Sequence, residues 1–402
     1  MVPKIRFKSF SAPLSKHKIE DILARFVSPV SVSKIERYRE IGIRSHGRGL
    51  FHKEEVSGAE LGNKRVFWIK KDAVIFNIVF AWEQAVAITS SKDEGCIASH
   101  RFPMYLPKDN KCNTDYIRRY FLTKKGKYLL ELASPGGAGR NKTLGQKNFD
   151  ELVVTIPDVT EQTKIADFLS SVDEKITLLN KQYDLLCQYK KGMMQKIFSR
   201  KLRFMDDDGA AFPVWENQKL GDVAIFLKGK GVAKKDIVED GERECIRYGE
   251  LYTDYGEVIS KIKSRTNQSM TNSILSLSHD VLIPSSGETA IDISKASCVL
   301  SDGVILGGDL NIIRSKVIDG MFLSYYINSQ KKYEIAQMAQ GNSVVHLYAK
   351  QLAKIEILCP CKKEQTKIAN FLSALDNKIA VKKAELDKLK TWKQGLLQQL
   401  FI

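Results

Sequence analysis

The residues best suited to chemistry in this sequence are basic side chains that stand beside glycine in polar stretches. Such stretches, which we predict to be loops, are 44–48 (Arg-Ser-His-Gly-Arg), 228–230 (Lys-Gly-Lys) and 135–143 (Pro-Gly-Gly-Ala-Gly-Arg-Asn-Lys-Thr). Arginine and lysine neutralise phosphate and donate to base edges, and glycine lets a ligand approach the backbone closely. The chemistry that they predict is the binding of a polyanion, although a plain turn would have a similar composition.

The glycine-rich stretch 135–143 does not meet the requirements of a nucleotide-binding phosphate loop. That loop has the pattern GxxxxGK[ST] and follows a strand. Here Asn141 rather than glycine precedes Lys142, the preceding segment is predicted to be helical, and the similar stretch 340–343 (Gln-Gly-Asn-Ser) lacks a Lys-Thr pair. We therefore exclude nucleotide binding. A loop that touches DNA phosphates or base edges stays open beside a plain turn.

Two further polar stretches are candidates for the same role. Arg247 and Tyr248 can meet a sugar–phosphate backbone, or Tyr248 is half-buried and structural. Ser285, Ser286 and Thr289 lie in a predicted polar loop after a strand, where they can donate to phosphates or simply close a turn. The full set of candidate nucleic-acid contacts is Arg44, His46, Arg48, Arg140, Lys142, Lys228, Lys230, Arg247, Tyr248, Ser285, Ser286, Asn342 and Ser343. Among them, Arg48 is our candidate for reading a base and Lys230 for contacting a phosphate.

The net charge indicates the class of partner. The formal net charge is +16 at pH 7, and the sequence pI is about 9.3. A surplus of this size favours nucleic acid first and an acidic membrane surface second, whereas solvated lysines alone are the uninformative alternative. Hydrophobic residues make up 43% of the 402 residues, which suffices for the cores of two or three domains.

Catalytic motifs are absent from the sequence. The six histidines form no HxxxH or HExxH pattern, and the seven cysteines contain no CxxC pair, so neither a zinc site nor a disulfide framework is predicted. There is no tetrapeptide typical of amino-methyltransferases and no glycine-rich cofactor loop after a strand, while spacing alone leaves a nuclease carboxylate cluster open. We expect no catalytic residue, metal or cofactor on this chain. We expect the thiols to be reduced, and the sequence shows no apolar leader and no run of about 18 apolar residues. These features predict a cytoplasmic protein.

The chain contains an internal duplication. The segment 161–176 (EQTKIADFLSSVDEKI) recurs as 364–379 (EQTKIANFLSALDNKI), at an offset of 203 residues. Roughly half of the positions are identical over about 40 residues, far above chance. The starts of the two copies also match, because 4–7 (Lys-Ile-Arg-Phe) resembles 201–204 (Lys-Leu-Arg-Phe).

The two copies, about 4–200 and 201–402, agree at their ends and differ in their middles. The segment 18–22 resembles 219–223, whereas the middles, about 45–140 and 248–340, hardly match. This pattern predicts one scaffold that presents two different specificities.

Each copy ends in a predicted long helix with an apolar seam at heptad spacing. The seam of the first copy is broken at Lys190, and the seam of the second at Lys382 and Lys393. Each run of about 39 residues would span about 58 Å. Because the duplication supplies a matched partner, we favour an intramolecular antiparallel pair over a coiled-coil homodimer. The seam positions are Ile165, Leu169, Val172, Ile176, Leu179, Tyr183, Leu186, Met193 and Ile197, then Ile368, Leu372, Leu375, Ile379, Leu386, Leu389, Leu396 and Leu400.

The globular segments are predicted to mix helices and strands. The predicted strands are 66–69, 73–76, 281–283 and 310–313, and the predicted helices are 116–132 and 322–339. The fold class is therefore α+β, with two mixed α/β domains separated by two long, antiparallel coiled-coil helices and related by a pseudo-twofold duplication.

These features together resemble the specificity subunit of type I restriction–modification systems, over essentially the full chain. The resemblance rests on the paired EQTKIA helices, the KIRF and KLRF starts, and 220–222 (Leu-Gly-Asp) followed by 246–251 (Ile-Arg-Tyr-Gly-Glu-Leu). The first copy departs from this pattern, because 19–21 is Ile-Glu-Asp and 43–46 is Ile-Arg-Ser-His.

The resemblance implies target-recognition domains at 1–157 and 201–360, each reading one half of a split site in double-stranded DNA. It implies that the helices at 158–200 and 361–402 act as spacers and dock two methyltransferase subunits, with a restriction and motor subunit as a further partner. Adenine methylation would be carried out by those partners. S-adenosylmethionine, ATP and Mg²⁺ would be bound by them and not by this chain.

Two other classes of protein remain in competition on the sequence alone. A self-sufficient DNA-modifying enzyme would need cofactor or metal motifs that the sequence lacks. A coiled-coil scaffold that does not bind DNA would explain the helices and the charge, but not two unlike globular portions in a matched frame.

Overall fold

The computed structural model describes residues 3–136, 142–271, 273–341 and 344–401. The chain divides into two compact units: unit one holds residues 1–180 and 385–402, and unit two holds residues 181–384. The unit boundaries fall within the two long helices, so each helix contributes one half to each unit.

Unit one combines two four-stranded sheets and a two-stranded pair with short helices. Its strands are β1 (Ser15–Lys18), β2 (Leu23–Phe26), β3 (Arg37–Ile43), β4 (Leu50–Ser57), β5 (Val66–Trp68), β6 (Val74–Phe76), β7 (Val86–Ile88), β8 (Ile97–Ser99), β9 (Met104–Pro107) and β10 (Val153–Ile156). Its helices are α1 (Ile19–Ile22), α2 (Gly58–Leu61), α3 (Thr114–Phe121), α4 (Lys124–Leu132), α5 (Gln146–Asp150) and the first half of α6 (Val159–Phe198). The sheet orders are β2-β9-β6-β7, β4-β3-β8-β5 and β1-β10.

An aromatic core holds the helices of unit one against its first sheet. Phe76, Phe121 and Phe149 are fully buried and come from β6, α3 and α5. The ring centroids of Phe76 and Phe149 are 4.8 Å apart, and those of Phe121 and Phe149 are 5.6 Å apart. Such pairs contribute about 0.5–1.5 kcal/mol beyond the burial of their area. The β3–β4 hairpin belongs to the other sheet.

Unit two has a five-stranded sheet, a four-stranded sheet and two two-stranded pairs. Its strands are β11 (Glu216–Lys219), β12 (Ile225–Lys228), β13 (Arg243–Ile246), β14 (Val258–Ile259), β15 (Ser264–Thr266), β16 (Ile274–Leu275), β17 (Asp280–Pro284), β18 (Ser286–Gly287), β19 (Ser297–Val299), β20 (Ile305–Leu306), β21 (Leu310–Arg314), β22 (Val345–His346) and β23 (Glu356–Cys359). Its helices are α7 (Leu220–Val223), α8 (Tyr248–Thr253), α9 (Ala290–Ile293), α10 (Gly320–Tyr326), α11 (Lys332–Met338), α12 (Ala349–Leu352), the first half of α13 (Lys362–Leu400) and the second half of α6. The second half of α13 belongs to unit one. The sheet orders are β12-β21-β17-β19-β14, β15-β13-β20-β16, β11-β23 and β18-β22.

The matched ends of the two sequence copies form the same frame in each unit. In unit one, β1 pairs antiparallel with β10, and in unit two, β11 pairs antiparallel with β23. A one-turn helix follows each first strand, α1 after β1 and α7 after β11. The predicted equivalence of 18–22 and 219–223 is therefore confirmed.

The glutamate of each repeated Glu-Gln pair holds the arginine from the start of its own copy. Glu161 accepts hydrogen bonds from Arg6 at 2.7 and 2.6 Å, and Glu364 accepts them from Arg203 at 3.1 and 2.6 Å. The two glutamates are only 1% and 0% exposed. Each glutamate raises the pKa of its arginine through these hydrogen bonds. A buried carboxylate needs such a partner, so the repeated motif is part of the scaffold.

The glutamine of each pair ties the long helix to the globular portion. Gln162 Oε1 accepts from the backbone N–H of Asn113 at 2.9 Å, and Gln365 Oε1 accepts from that of Asp319 at 2.7 Å. Asn113 and Asp319 are the N-caps of α3 and α10. Each glutamine Nε2 also donates, at 2.8 Å, to the proline carbonyl five residues earlier. The same tie thus recurs in both units.

The two long helices run antiparallel, as predicted. In unit one, Asp173 of α6 lies 2.5 Å from Lys393 of α13. Seven residues later on α6, Asn180 lies 3.3 Å from Lys390, which comes earlier on α13. The two helices therefore run in opposite directions. In unit two, Lys190 pairs with Asp376 at 2.6 Å. Lys190 and Lys393 occupy equivalent positions at an offset of 203 residues. The lysine that interrupts the apolar seam in both copies therefore forms an ion pair with an aspartate of the facing helix.

Some predicted element boundaries were wrong. The predicted helix 116–132 is two helices, α3 and α4, because Thr123 caps a new helix by accepting from the N–H of Gly126. The predicted helix 322–339 begins earlier, and a π-helical turn at Ile327–Lys331 separates α10 from α11. In that turn, the Asn328 side chain exchanges hydrogen bonds with the backbone of Ala296 at 3.0 and 2.7 Å.

Candidate nucleic-acid interface

The predicted basic turn 44–48 connects β3 and β4 at the tip of a hairpin. His46 and Gly47 adopt left-handed backbone angles, with φ of 60° and 64°. The turn docks on the short helical turn at 81–83, because the N–H of His46 donates to the carbonyl of Glu83 at 2.7 Å. Arg44, His46 and Arg48 are exposed. Glycine suits position 47 because its φ of 64° is one that other residues rarely adopt, and a Cβ there would also lie 2.5 Å from the end of the Leu122 side chain.

Lys142 belongs to the same surface. Its Nζ lies 5.6 Å from the ring centroid of Trp82, next to the docking point of the hairpin. Arg44 is held by a hydrogen bond to the carbonyl of Leu50 at 3.1 Å and stacks 4.8 Å from the ring centroid of Phe51. The backbone of His46 and the side chain of Lys142 thus both contact residues 81–84, and Arg44 and Arg48 belong to the same hairpin turn. Arg140 lies outside the described residues.

A cleft of about 710 Å³ lies beside this hairpin and contains residues that the sequence motifs did not single out. Its walls are the flank of the β3–β4 hairpin and the loops at 63–65, 77–80 and 99–102. The lining residues are Glu40, Lys53, Asn63, Lys64, Arg65, Asn77, Val79, Phe80, Ser99, His100, Arg101 and Phe102. They are scattered along the chain, so only the fold brings them together.

In unit two, Lys228 and Lys230 are exposed at the two sides of a glycine that packing requires. A Cβ on Gly229 would lie 2.0 Å from the carbonyl oxygen of Gly307, so only glycine fits. Lys228 is the last residue of β12 rather than part of a loop, which corrects that prediction.

Arg247 and Tyr248 line a second cleft, of about 590 Å³, whose walls also include 231–234 and 308–309. The Arg247 guanidinium donates to Glu250 Oε1 through Nε at 3.1 Å and Nη2 at 2.9 Å. Glu250 also accepts from Ser264 Oγ at 2.6 Å and is nearly buried. Arg247 is thus held in one orientation at the wall of the cleft, and Tyr248 is half-buried beside it.

Ser285 and Ser286 do not lie in an exposed loop, contrary to the prediction. They are 7% and 6% exposed, and Ser286 pairs with His346 between β18 and β22. Thr289 caps α9 by accepting from the N–H of Asp292. Both serines are therefore largely shielded from solvent in this conformation. Asn342 and Ser343 lie outside the described residues.

The described residues contain no cluster of three or more His, Cys, Asp and Glu side chains placed to hold a metal ion. Within the same part of the chain, no helix is long and apolar enough to cross a membrane. Burial raises the pKa of the Cys245 thiol to about 11, which leaves it protonated at neutral pH.

A duplicated frame that carries two unlike surfaces, in a chain with a net charge of +16, is the arrangement expected of a protein that binds a polyanion such as DNA through two domains. The family model of the type I restriction modification DNA specificity domain matches residues 43–187 and 214–391. The chain belongs to this family.

Relatives and solved structures are similar over most of the chain. The type I restriction enzyme MjaVIII specificity subunit of Methanocaldococcus jannaschii is 26% identical over 321 residues, which cover 73% of this chain and 71% of that protein. The putative MjaX specificity subunit of the same organism is 25% identical, covering 78% and 73%. The S subunit from M. genitalium has a TM-score of 0.62 at 16% identity, covering 100% of this chain and 99% of that one. The HsdS subunit from Thermoanaerobacter tengcongensis has a TM-score of 0.53 at 16% identity, covering 98% and 97%.

Proposed function

We propose that this chain reads a two-part DNA site, with residues 1–157 and 201–360 each recognising one half. The observation that carries this proposal is that each unit repeats the same buried scaffold around a different surface. The Arg6–Glu161 and Arg203–Glu364 pairs have the same geometry. The surfaces of the two units differ, with an exposed hairpin tip in unit one and a glycine-lined cleft in unit two.

The DNA contacts of unit one centre on the hairpin tip with Arg44, His46 and Arg48, and on Lys142 beside Trp82. Those of unit two center on Lys228, Lys230 and the cleft lined by Arg247 and Tyr248. Arginine and lysine at such exposed positions neutralise phosphates, which fixes the protein on the duplex. Arg140, Asn342 and Ser343 belong to the same proposal by sequence. Ser285 and Ser286 would have to become exposed before they could contribute.

The chain works without catalysis of its own, in a cytoplasmic complex with methyltransferase subunits. The long helices would dock those subunits, expected in two copies, and a restriction and motor subunit would join them. In unit two, Leu185 and Tyr189 on α6 are 53% and 52% exposed and lie one helical turn apart, which suits an apolar contact with a partner. S-adenosylmethionine, ATP and Mg²⁺ would be bound by the partners.

The proposal is tested by selecting duplexes from a random DNA library with the full chain and its methyltransferase partner. We expect a motif with two defined segments and an undefined gap between them. A single continuous motif, or no enrichment, would overturn the proposal. Omitting the partner in a parallel selection shows how much of the recognition belongs to this chain.

A further inference from the structure

The cleft beside the hairpin of unit one presents two arginines from neighbouring backbone segments. β5 and β8 pair antiparallel with Val66 opposite Ser99, so Arg65 and His100 lie side by side at the strand ends. The N–H of His100 donates to the carbonyl of Arg65 at 3.2 Å, and the N–H of Ile78 donates to the carbonyl of Arg101 at 3.0 Å. These bonds fix the main chain from which both arginine side chains enter the cleft.

Two lysines of this cleft lie close to a carboxylate, whereas its two arginines have no carboxylate of the described residues nearby. Lys53 and Lys64 lie 3.4 and 3.6 Å from Glu40, whose side chain is only 12% exposed. Arg65 and Arg101 are exposed, and no carboxylate of the described residues lies within ion-pair distance of either guanidinium. A ligand can therefore take up both guanidinium groups without breaking an existing ion pair.

The other residues that line the cleft suit the flat edge of a base that carries hydrogen-bond acceptors better than they suit an isolated phosphate. Asn77 Oδ1 already accepts from the N–H of Val79 at 3.1 Å, which leaves the amide donors of Asn77 to face a ligand. The Phe80 ring is 37% exposed at the same wall and offers an apolar contact. A guanidinium fork matches O6 and N7 of guanine, whereas the amino group of cytosine would need an acceptor. Glu40, the lining carboxylate, is occupied by the two lysines.

We propose that Arg65 and Arg101 are specificity-determining residues that read guanine in the half-site of the first domain. This inference rests on the proposed function and adds the base that the first domain recognises. It differs from phosphate binding because the loss of a base contact changes one position of the motif, whereas the loss of a phosphate contact weakens all sequences alike.

The test uses the full chain with its methyltransferase partner and compares wild type with Arg65→Ala, Arg101→Ala and Arg101→Lys. Lys147→Ala, on an 87% exposed side chain of α5, is the control for losing one positive charge. Selection from a random duplex library gives the motif of each variant. Titrations at several salt concentrations give the non-specific component, and circular dichroism confirms folding.

We expect one half of the wild-type motif to contain guanine. In each alanine variant, the preference at one such position falls about 5- to 150-fold, while the other half-site is unchanged. Arg101→Lys keeps the charge and the salt dependence but loses part of the guanine preference, because lysine lacks the planar fork. Lys147→Ala leaves the motif unchanged.

Three results would overturn the inference while leaving the two-domain function intact. The first is an unchanged motif in both alanine variants, and the second is a uniform loss of affinity for all sequences. The third is an Arg101→Lys variant that keeps the full guanine preference of the wild type. A wild-type protein that selects no two-part motif would overturn the proposed function, and this inference with it.

Discussion

Replacing Glu364 with glutamine should strongly destabilise unit two, because it removes the charge that neutralises Arg203 inside the scaffold. Glu364 is 0% exposed and accepts hydrogen bonds from Arg203 and from Trp215 Nε1, the latter at 3.0 Å. Breaking a buried ion pair by removing one partner costs about 3–5 kcal/mol. The Arg203 side chain is 29% exposed, so water can partly rehydrate it. We therefore expect the lower end, about 3 kcal/mol.

Differential scanning calorimetry measures this loss directly. A unit the size of residues 181–384 loses roughly 2–4 °C of Tm per kcal/mol, so the transition should fall by about 6–12 °C. Glu161→Gln is the matched variant of unit one and should lower the other transition. Glu174→Gln, on the exposed face of α6, should change neither by more than about 0.5 kcal/mol.

A second variant distinguishes the lost charge from lost packing. Adding Arg203→Met to Glu364→Gln removes the uncompensated cation and should recover part of the stability. A shift for Glu364→Gln no larger than that for Glu174→Gln would show that the buried ion pair does not stabilise unit two. A double variant less stable than Glu364→Gln alone would show that the uncompensated charge of Arg203 is not the cause of the loss.

Three more predictions follow from the contacts of unit two and from the proposed function. Lys190→Asp should lower the Tm, and adding Asp376→Lys should restore part of it. Lys190 lies 2.6 Å from Asp376, and a double variant no better than the sum of its singles would contradict the pairing. Lys230→Ala should weaken binding to all DNA sequences and reduce the slope of log K against log salt by about 0.9, measured by filter binding, and an altered motif would argue against a phosphate contact. The chain alone, incubated with DNA, Mg²⁺ and S-adenosylmethionine, should neither methylate nor cut DNA, and turnover without partner subunits would show that it is an enzyme.

The scaffold could be predicted from the sequence because its signals are local and repeated. The heptad seam shows which faces of α6 and α13 are buried, and the offset of 203 residues shows that each helix has a matched partner. The shared break at Lys190 and Lys393 marks an ion pair, since a charged residue in a seam needs an opposite charge on the facing helix.

The candidate site could be predicted only where basic residues lie next to each other in the chain. The hairpin tip with Arg44 and Arg48 is such a place. The cleft of Arg65 and Arg101 is not, because its walls come from segments that are joined by strand pairing and loop hydrogen bonds. Ser285 and Ser286 show the opposite error, since a polar run after a strand can be buried when another strand pairs with it.

The proposed function requires two domains of one chain to read two halves of one DNA site. It is tested most directly by replacing residues 201–360 with the corresponding segment of a relative and mapping methylated adenines across the host genome. The proposed function predicts a motif in which one half changes and the other half is kept. A motif in which both halves change, or in which neither does, would contradict it.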